Sequence, residues 1–365
     1  MENIFDYIRW RGDLSMESAA FNELDSLVLA RLSYAPFDEI NLQATDTPIT
    51  VKNAANLLLA VPDIQQQVLW KYDVDLLSAV SKNTRFCGMT LSNYVNLIDA
   101  KTQMQFSAVA VRVAEGLNYI SFRGTDNTLI GWKEDFNMSF MSPVPAQEQA
   151  VEYLEHIAPL LHGDIILGGH SKGGNLAVYA AAFCRKEIQD RLISVYNFDG
   201  PGFDEKVLKT GQYRSIRDRA VTFVPQSSIV GMLLEHEETY TIVKSAQKSG
   251  FMQHDIYSWE VERDHFLYLD QVTNSSRFID QTLKKWVADM DAVQRETLID
   301  TMYDVVAQTN ANTFNDMEAN WFDTVKSILS STINLDDNTR KLITQAISLL
   351  IKSARESIKD EYGRT

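Results

Sequence analysis

Cysteine is scarce in this chain. Cys87 and Cys184 are the only two among 365 residues. They form no disulfide framework and no metal-ligand spacing, which fits a reducing compartment. Positive charge is also short: 34 Lys and Arg stand against 49 Asp and Glu, a net charge of −15. A field of that sign repels nucleic acid and anionic membranes, so neither is expected as a general partner. Long apolar runs are missing as well. No stretch reaches the roughly 18 consecutive apolar residues that read as a spanning helix, so no integral membrane segment is expected. Met1-Glu2-Asn3-Ile4-Phe5-Asp6 lacks the basic region and apolar run of a signal peptide, and the expected location is cytoplasmic. What is present is globular material, 45% hydrophobic and 23% charged, enough for a sizeable core.

One stretch organises the rest. Ile165-Ile166-Leu167 reads as a buried strand, and Leu176 to Phe183 reads as a buried, Ala-rich helix. Between them Gly169-His170-Ser171-Lys172-Gly173 matches G-x-S-x-G. On a sharp strand-to-helix turn this pattern lifts a strained serine above the sheet. Small residues two positions either side of Ser171 let strand and helix approach. The helix N-terminus aims backbone N–H groups at the same place.

Residues 1 to about 75 read as helical, with pieces at 21–32, 53–61 and 63–72, and serve to cover a face or edge of a sheet. Strands follow over about 85–123. Met104 to Val113 and Tyr119 to Phe122 form a hairpin that feeds Arg123-Gly124-Thr125-Asp126. A backbone N–H and a Thr hydroxyl at a strand end suit an oxyanion, although Thr125 taken alone reads as a turn-stabilising hydroxyl. Met138 to Pro143 is either a packed connector or a flap; as a flap, Met138 and Phe140 would touch substrate. An amphipathic helix spans 146–161, and strands recur at 192–198, 221–224 and 239–243. From about 270 the chain is helical again. Its last stripe, Leu342 to Ile358, either docks on its own subunit or meets a protein or membrane surface. The implied division is a helical cap over 1–80, an α/β core over 81–270, and a helical extension over 271–365.

A serine nucleophile needs a base and a group that orients the base. The order Ser171, Asp199, His254 fits an α/β-hydrolase chain. Of the other histidines, His170 points beneath the turn, His156 and His162 precede the nucleophile, His236 sits in a solvated acidic run, and His265 begins a helix. Asp204, Asp255 and Asp264 compete with Asp199 for the acid, Asp255 least because it adjoins His254.

These residues carry a resemblance. Phe122-Arg123-Gly124-Thr125-Asp126 with Trp132 and Asp135, then Gly169 to Gly174, then the His254 turn ending in Trp259, are similar to the class-three (fungal-type) lipases. An uncharacterised bacterial branch of that superfamily is closer over most of the chain. The resemblance implies an α/β-hydrolase fold: a mixed, mostly parallel sheet with helices on both faces, plus helical N- and C-terminal additions. It implies acyl ester hydrolysis without metal or cofactor, with Ser171 as nucleophile, His254 as base, and an oxyanion hole from Thr125 and the Lys172 N–H. Two departures stand out. The place of the family's acid corresponds here to Ser227-Ser228, which moves the expected acid to Asp199, one strand earlier. Lys172 replaces an apolar residue at a helix N-terminus, where a cation is disfavoured by roughly 0.3–1 kcal/mol. Lys172 is therefore expected to pair with an acid at the site or to bind a carboxylate or phosphate of the substrate. The function expected is a serine esterase, lipase or lysophospholipase-like enzyme; the alternative is an inactive hydrolase-fold protein that works as a binding module.

Overall fold

A computed structural model describes residues 2–272 apart from 45–46, 126–133, 135–137, 139–141, 229, 232–233, 235, 239 and 248–251. The expected C-terminal helices, with Trp132, Asp135 and Phe140, lie outside the described residues.

Among the described residues, four helices of eight residues or more precede the main strands: α1 (Ile4–Arg11), α2 (Glu23–Leu32), α3 (Val51–Leu59) and α4 (Asp73–Lys82). Asn22 starts α2 by accepting the Leu24 and Asp25 N–H groups, and Asp25 returns a bond to the Asn22 N–H. That reciprocal cap satisfies donors the helix itself leaves unpaired. Residues 63–72, expected as a helix, hold only the short piece Ile64–Gln67. The long helix starts at Asp73, whose carboxylate takes the Trp70 N–H.

The strands are β1 (Ile49–Thr50), β2 (Thr90–Asp99), β3 (Met104–Ala114), β4 (Leu117–Phe122), β5 (Asp164–His170), β6 (Leu192–Phe198), β7 (Ala220–Pro225), β8 (Tyr240–Val243), β9 (Val261–Glu262), β10 (His265–Phe266) and β11 (Tyr268–Leu269). Nine of them form one sheet in the order β1-β2-β3-β4-β5-β6-β7-β8-β11. Pairing is antiparallel from β1 to β4, parallel from β4 to β8, and antiparallel again at β11. His265, expected to open a helix, lies instead in β10, paired with β9.

Successive residues of a strand face opposite sides of a sheet, and here both sides are apolar. The crossovers carry α5 (Pro145–Ile157), α6 (Lys172–Phe183) and α7 (Gly211–Ile216). Strands added one after another in the same direction, each by a right-handed crossover, place these helices on one face. There they bury Ala108, Ala110, Ile120, Phe122, Leu167 and Val195. The opposite face would be bare. The N-terminal helices and the segment from Ile256 to Phe266 cover it, packing on Val109, Val111, Tyr119, Ile166, Phe198 and Phe223. The covering role expected of residues 1–75 is thus a full layer of the core. The architecture is an α/β-hydrolase fold: a central mixed sheet with helices on both faces.

Candidate active site

The carboxyl ends of β4, β5, β6 and β7 open on one edge, where ligands of open α/β sheets gather. Ser171 follows β5 directly, at φ 59° and ψ −135°. A non-glycine residue is held there at a cost of order 1–3 kcal/mol. The flanking glycines explain how the turn is made. A Cβ on Gly169 would collide with the Gly173 backbone, and one on Gly173 with the Phe122 carbonyl. Only bare backbone lets β4, β5 and α6 meet so closely. Gly124 runs beside the turn, placed so that a Cβ would stand 3.1 Å from Ser171 Cβ.

Three side chains from distant parts of the chain converge. Ser171 Oγ lies 2.9 Å from His254 Nε2. His254 Nδ1 lies 2.7 Å from Asp199 Oδ2. Asp199 is fully buried and sits just past β6 at φ 52°. Its other oxygen, Oδ1, accepts Ser228 Oγ–H at 2.5 Å and the Gly231 N–H at 3.1 Å. So Ser228, one of the pair Ser227-Ser228 where the resemblance leads one to expect the acid, donates to the aspartate one strand away. The other candidate acids are engaged elsewhere. Asp204 caps a short helix through the Val207 N–H, Asp255 accepts the Tyr257 N–H, and Asp264 lies near Arg11 and His265.

His254 is anchored from several sides. It lies in a 3-10 turn, Met252–His254. Gln253 accepts the Ser227 N–H at 2.7 Å, and its carbonyl accepts Trp259 Nε1–H at 2.8 Å. Trp259 is buried against Phe198 and Phe266. Beneath the turn lies His170, whose Nε2–H donates to the His254 carbonyl at 2.9 Å. Burial first, then the charges of His254 and Arg31, hold its pKa well below 6.5, so the ring is neutral. Tyr34 OH lies 3.3 Å from His170 Nδ1 and 3.2 Å from its carbonyl. Arg31 stacks over Tyr34 and binds Asp73 through two bonds of 2.6 Å, and Tyr257 OH binds the same carboxylate at 2.7 Å. The N-terminal helices therefore reach the underside of the site. No periodicity in residues 1–80 signals this, because Tyr34, Arg31 and Asp73 read as ordinary members of helix ends.

Lys172 turns inward. Its Nζ donates to Gln105 O at 2.9 Å, Gln105 Oε1 at 2.8 Å and Glu134 Oε2 at 2.9 Å. Of the two roles expected for this ammonium, the structure places it on an acid, Glu134, within the protein rather than on the substrate side; both side chains are almost fully buried. Thr125 is half-buried, three residues past β4. Met138 is buried, and its N–H donates to the Glu134 carbonyl at 3.0 Å. Phe140 lies outside the described residues. His236, expected in solvent, is instead enclosed between Glu238 and Gly231. Among the described residues, no group of three or more His, Cys, Asp or Glu could hold a metal ion, and no helix is long and apolar enough to cross a membrane.

The arrangement has the parts of nucleophilic catalysis: a hydroxyl on a nitrogen base, the base on a buried carboxylate, and a helix N-terminus beside the hydroxyl. A family model described as Mbeg1-like matches residues 80–304, more than half of the chain. No curated protein matches. Among solved structures the chain is similar to the Rhizomucor miehei lipase in its propeptide complex, at 14% identity over 60% of this chain and 67% of that one, with a TM-score of 0.36. It is similar to the lipase from Rhizopus microsporus var. chinensis at 15% identity, over 66% and 89% of the two chains, with a TM-score of 0.34. Lip2 lipase from Yarrowia lipolytica shows 11% identity over 70% and 91%, with a TM-score of 0.34.

Proposed function

The chain belongs to the Mbeg1-like family, and we propose that it is a serine hydrolase that cleaves an acyl ester through an acyl-enzyme. The observation that supports this most is the unbroken series from Ser171 Oγ to His254 Nε2, 2.9 Å, and from His254 Nδ1 to Asp199 Oδ2, 2.7 Å. In this reading Ser171 Oγ attacks the ester carbonyl carbon while its proton passes to His254 Nε2. Asp199 holds the ring with Nδ1 protonated and stabilises the imidazolium that forms. The backbone N–H groups of Lys172 and Thr125 receive the oxyanion, a contribution worth about 3 kcal/mol for one good donor. Collapse of the tetrahedral species breaks the C–O bond, and the leaving alcohol takes the proton from Nε2. Water then attacks the acyl-enzyme by the same route in reverse, freeing the acid and restoring Ser171.

The substrate is a small acyl ester, in the range of an esterase or lysophospholipase-like activity, handled in the cytoplasm. In this reading the core is residues 81–270, with a helical addition over 1–80; the extension expected over 271–365 lies outside the described residues from 273 on. The alternative of an inactive binding module rests on Ser228 standing where an acid was expected and on the C-terminal tail. Asp199, within reach of His254 and bonded by that same Ser228, speaks against the first ground; the tail lies outside the described residues.

The test uses a fluorophosphonate probe and p-nitrophenyl esters from acetate to palmitate. Wild type is expected to label and turn over, Ser171→Ala to do neither, and Asp199→Asn to lose about 10⁴-fold in kcat. A wild type that neither labels nor hydrolyses any ester overturns the assignment.

A further inference from the structure

A second buried histidine lies behind the acid. His236 places Nδ1 2.8 Å from Glu238 Oε1 and Nε2 2.8 Å from the Gly231 carbonyl oxygen. The Gly231 carbonyl can only accept, so Nε2 carries the N–H that it receives. Nδ1 faces Glu238. Burial alone would raise the Glu238 pKa, but His236, then the hydroxyls of Tyr213 and Thr222, outweigh burial and bring it down to about 2. It accepts the hydroxyls of Tyr213 and, at 2.8 Å, Thr222.

The other side of Gly231 faces Asp199. Its N–H donates to Asp199 Oδ1 at 3.1 Å and to Ser228 Oγ at 2.9 Å. A Cβ on this residue would collide with Asp199 Oδ1, so glycine is what allows the approach. One residue is thus held at its carbonyl by His236 and holds the buried carboxylate with its amide. A carboxylate without water depends on such donors for both its charge and its orientation.

We propose that His236 is a positioning residue for Asp199: its Nε2–H clamps the Gly231 carbonyl, and the clamp keeps the Gly231 N–H on the carboxylate that orients His254. The proposal rests on Asp199 being the acid of a triad. Without the clamp, Oδ1 keeps Ser228 alone, and the carboxylate is free to turn away from His254 Nδ1.

The test is a double-variant cycle on the full chain: wild type, His236→Gln, Asp199→Asn and the pair, with thermal melting to establish that each folds. The readings are kcat and KM on a p-nitrophenyl ester, the labelling rate of Ser171 by a fluorophosphonate, and the downfield proton NMR signal of His254 Nδ1–H, assigned by its loss in Asp199→Asn. His236→Gln is expected to lower kcat and labelling about tenfold, the scale of one hydrogen bond to a charged group. KM is expected to stay within about twofold. Added to Asp199→Asn, it is expected to cost nothing further, because it acts only through that carboxylate. The NMR signal is expected to shift upfield. Equal losses on both backgrounds, or no loss and an unmoved signal in the single variant, overturn the clamp. Where His236→Gln does not fold, Glu238→Gln takes its place with the same expected pattern. If wild type proves inactive, the hydrolase reading falls on that result, and the clamp is still judged by whether the NMR signal moves.

Discussion

At the first position of a helix a cation meets the positive end of the backbone dipole. Lys172 stands there, directly after the strained Ser171. Its side chain carries the charge away to Gln105 and Glu134, where, among the described residues, the ammonium meets acceptors on both. Glu134 in turn accepts the Gln105 N–H at 3.0 Å and, with its second oxygen, the Ala146 N–H at 2.9 Å in the first turn of α5. An anion at that end of a helix is favoured. This one pair ties the residue after Ser171 to β3 and α5. Removing one partner of a buried pair strands the other, at about 3–5 kcal/mol, whereas replacing both with apolar groups is often neutral. Urea denaturation is expected to show losses of that size in Lys172→Met and in Glu134→Leu, and recovery of most of the loss when the two are combined. A double variant no more stable than the weaker single would remove the pair from the account of stability.

Asp73 does the corresponding work between elements. It sits at the start of α4, binds Arg31 from α2, and receives Tyr257 OH from the 3-10 turn Ile256–Ser258. That turn begins two residues after His254. Phe5 of α1 stacks on Tyr257 with ring centres 5.4 Å apart. Asp73→Asn leaves Arg31 buried without its counter-charge, and a loss of about 3–5 kcal/mol is expected on chemical denaturation. Because Tyr257 shares the contact, ester turnover is expected to fall in the same variant at temperatures where it is still folded. Full turnover in a folded Asp73→Asn would separate the N-terminal layer from the site. Much at this scale was legible beforehand. Strand β6 lies where its apolar run places it, and α2 lies within the helix expected over 21–32. The start of α4 was not: Asp73 there bonds an arginine 42 positions earlier, a partner its own neighbours do not announce. The environment of His236 was not legible either. Its acidic neighbours read as a solvated run, and only the return of β7 and α7 supplies Thr222 and Tyr213 to bury Glu238.

For the molecule as a whole, buried titrating groups set how stability changes with pH. His170 is depressed well below 6.5 in the folded state. The unfolded chain therefore takes up this proton first, and stability falls as pH drops below about 6.5, by up to about 1.4 kcal/mol per pH unit. Glu238, brought down to about 2 from 4.5, adds stability that is present above about 4.5 and is lost as pH falls toward 2. Both act in the same direction, while Glu23 and Asp255, whose carboxyls burial raises, act in the other, so the His170 contribution is read from a variant. Melting temperature measured from pH 8 to pH 5 is expected to decline below about 6.5, and His170→Asn is expected to flatten that decline while lowering stability at pH 8. An unchanged slope in the variant would assign the acid sensitivity to other groups.

The sequence by itself determined the local parts. Gly169 and Gly173 around Ser171 specify a turn that larger side chains would block, and the apolar strands and Asn22 cap specify their elements through neighbours a few residues away. The order of Ser171, Asp199 and His254 along the chain follows from the order of the strands. Tertiary structure decided everything that depends on groups meeting from a distance. Asp199 faces His254, although 55 residues separate them, because β6 and the turn after β8 come together at one edge. Ser228 became a donor to that acid rather than the mark of a missing one. Lys172 points at Glu134, and the N-terminal layer supplies Tyr34 and Arg31 under His170. Hydrogen bonds and ion pairs act over about 3 Å, so which groups share them is settled by the folded path and not by their spacing in the chain.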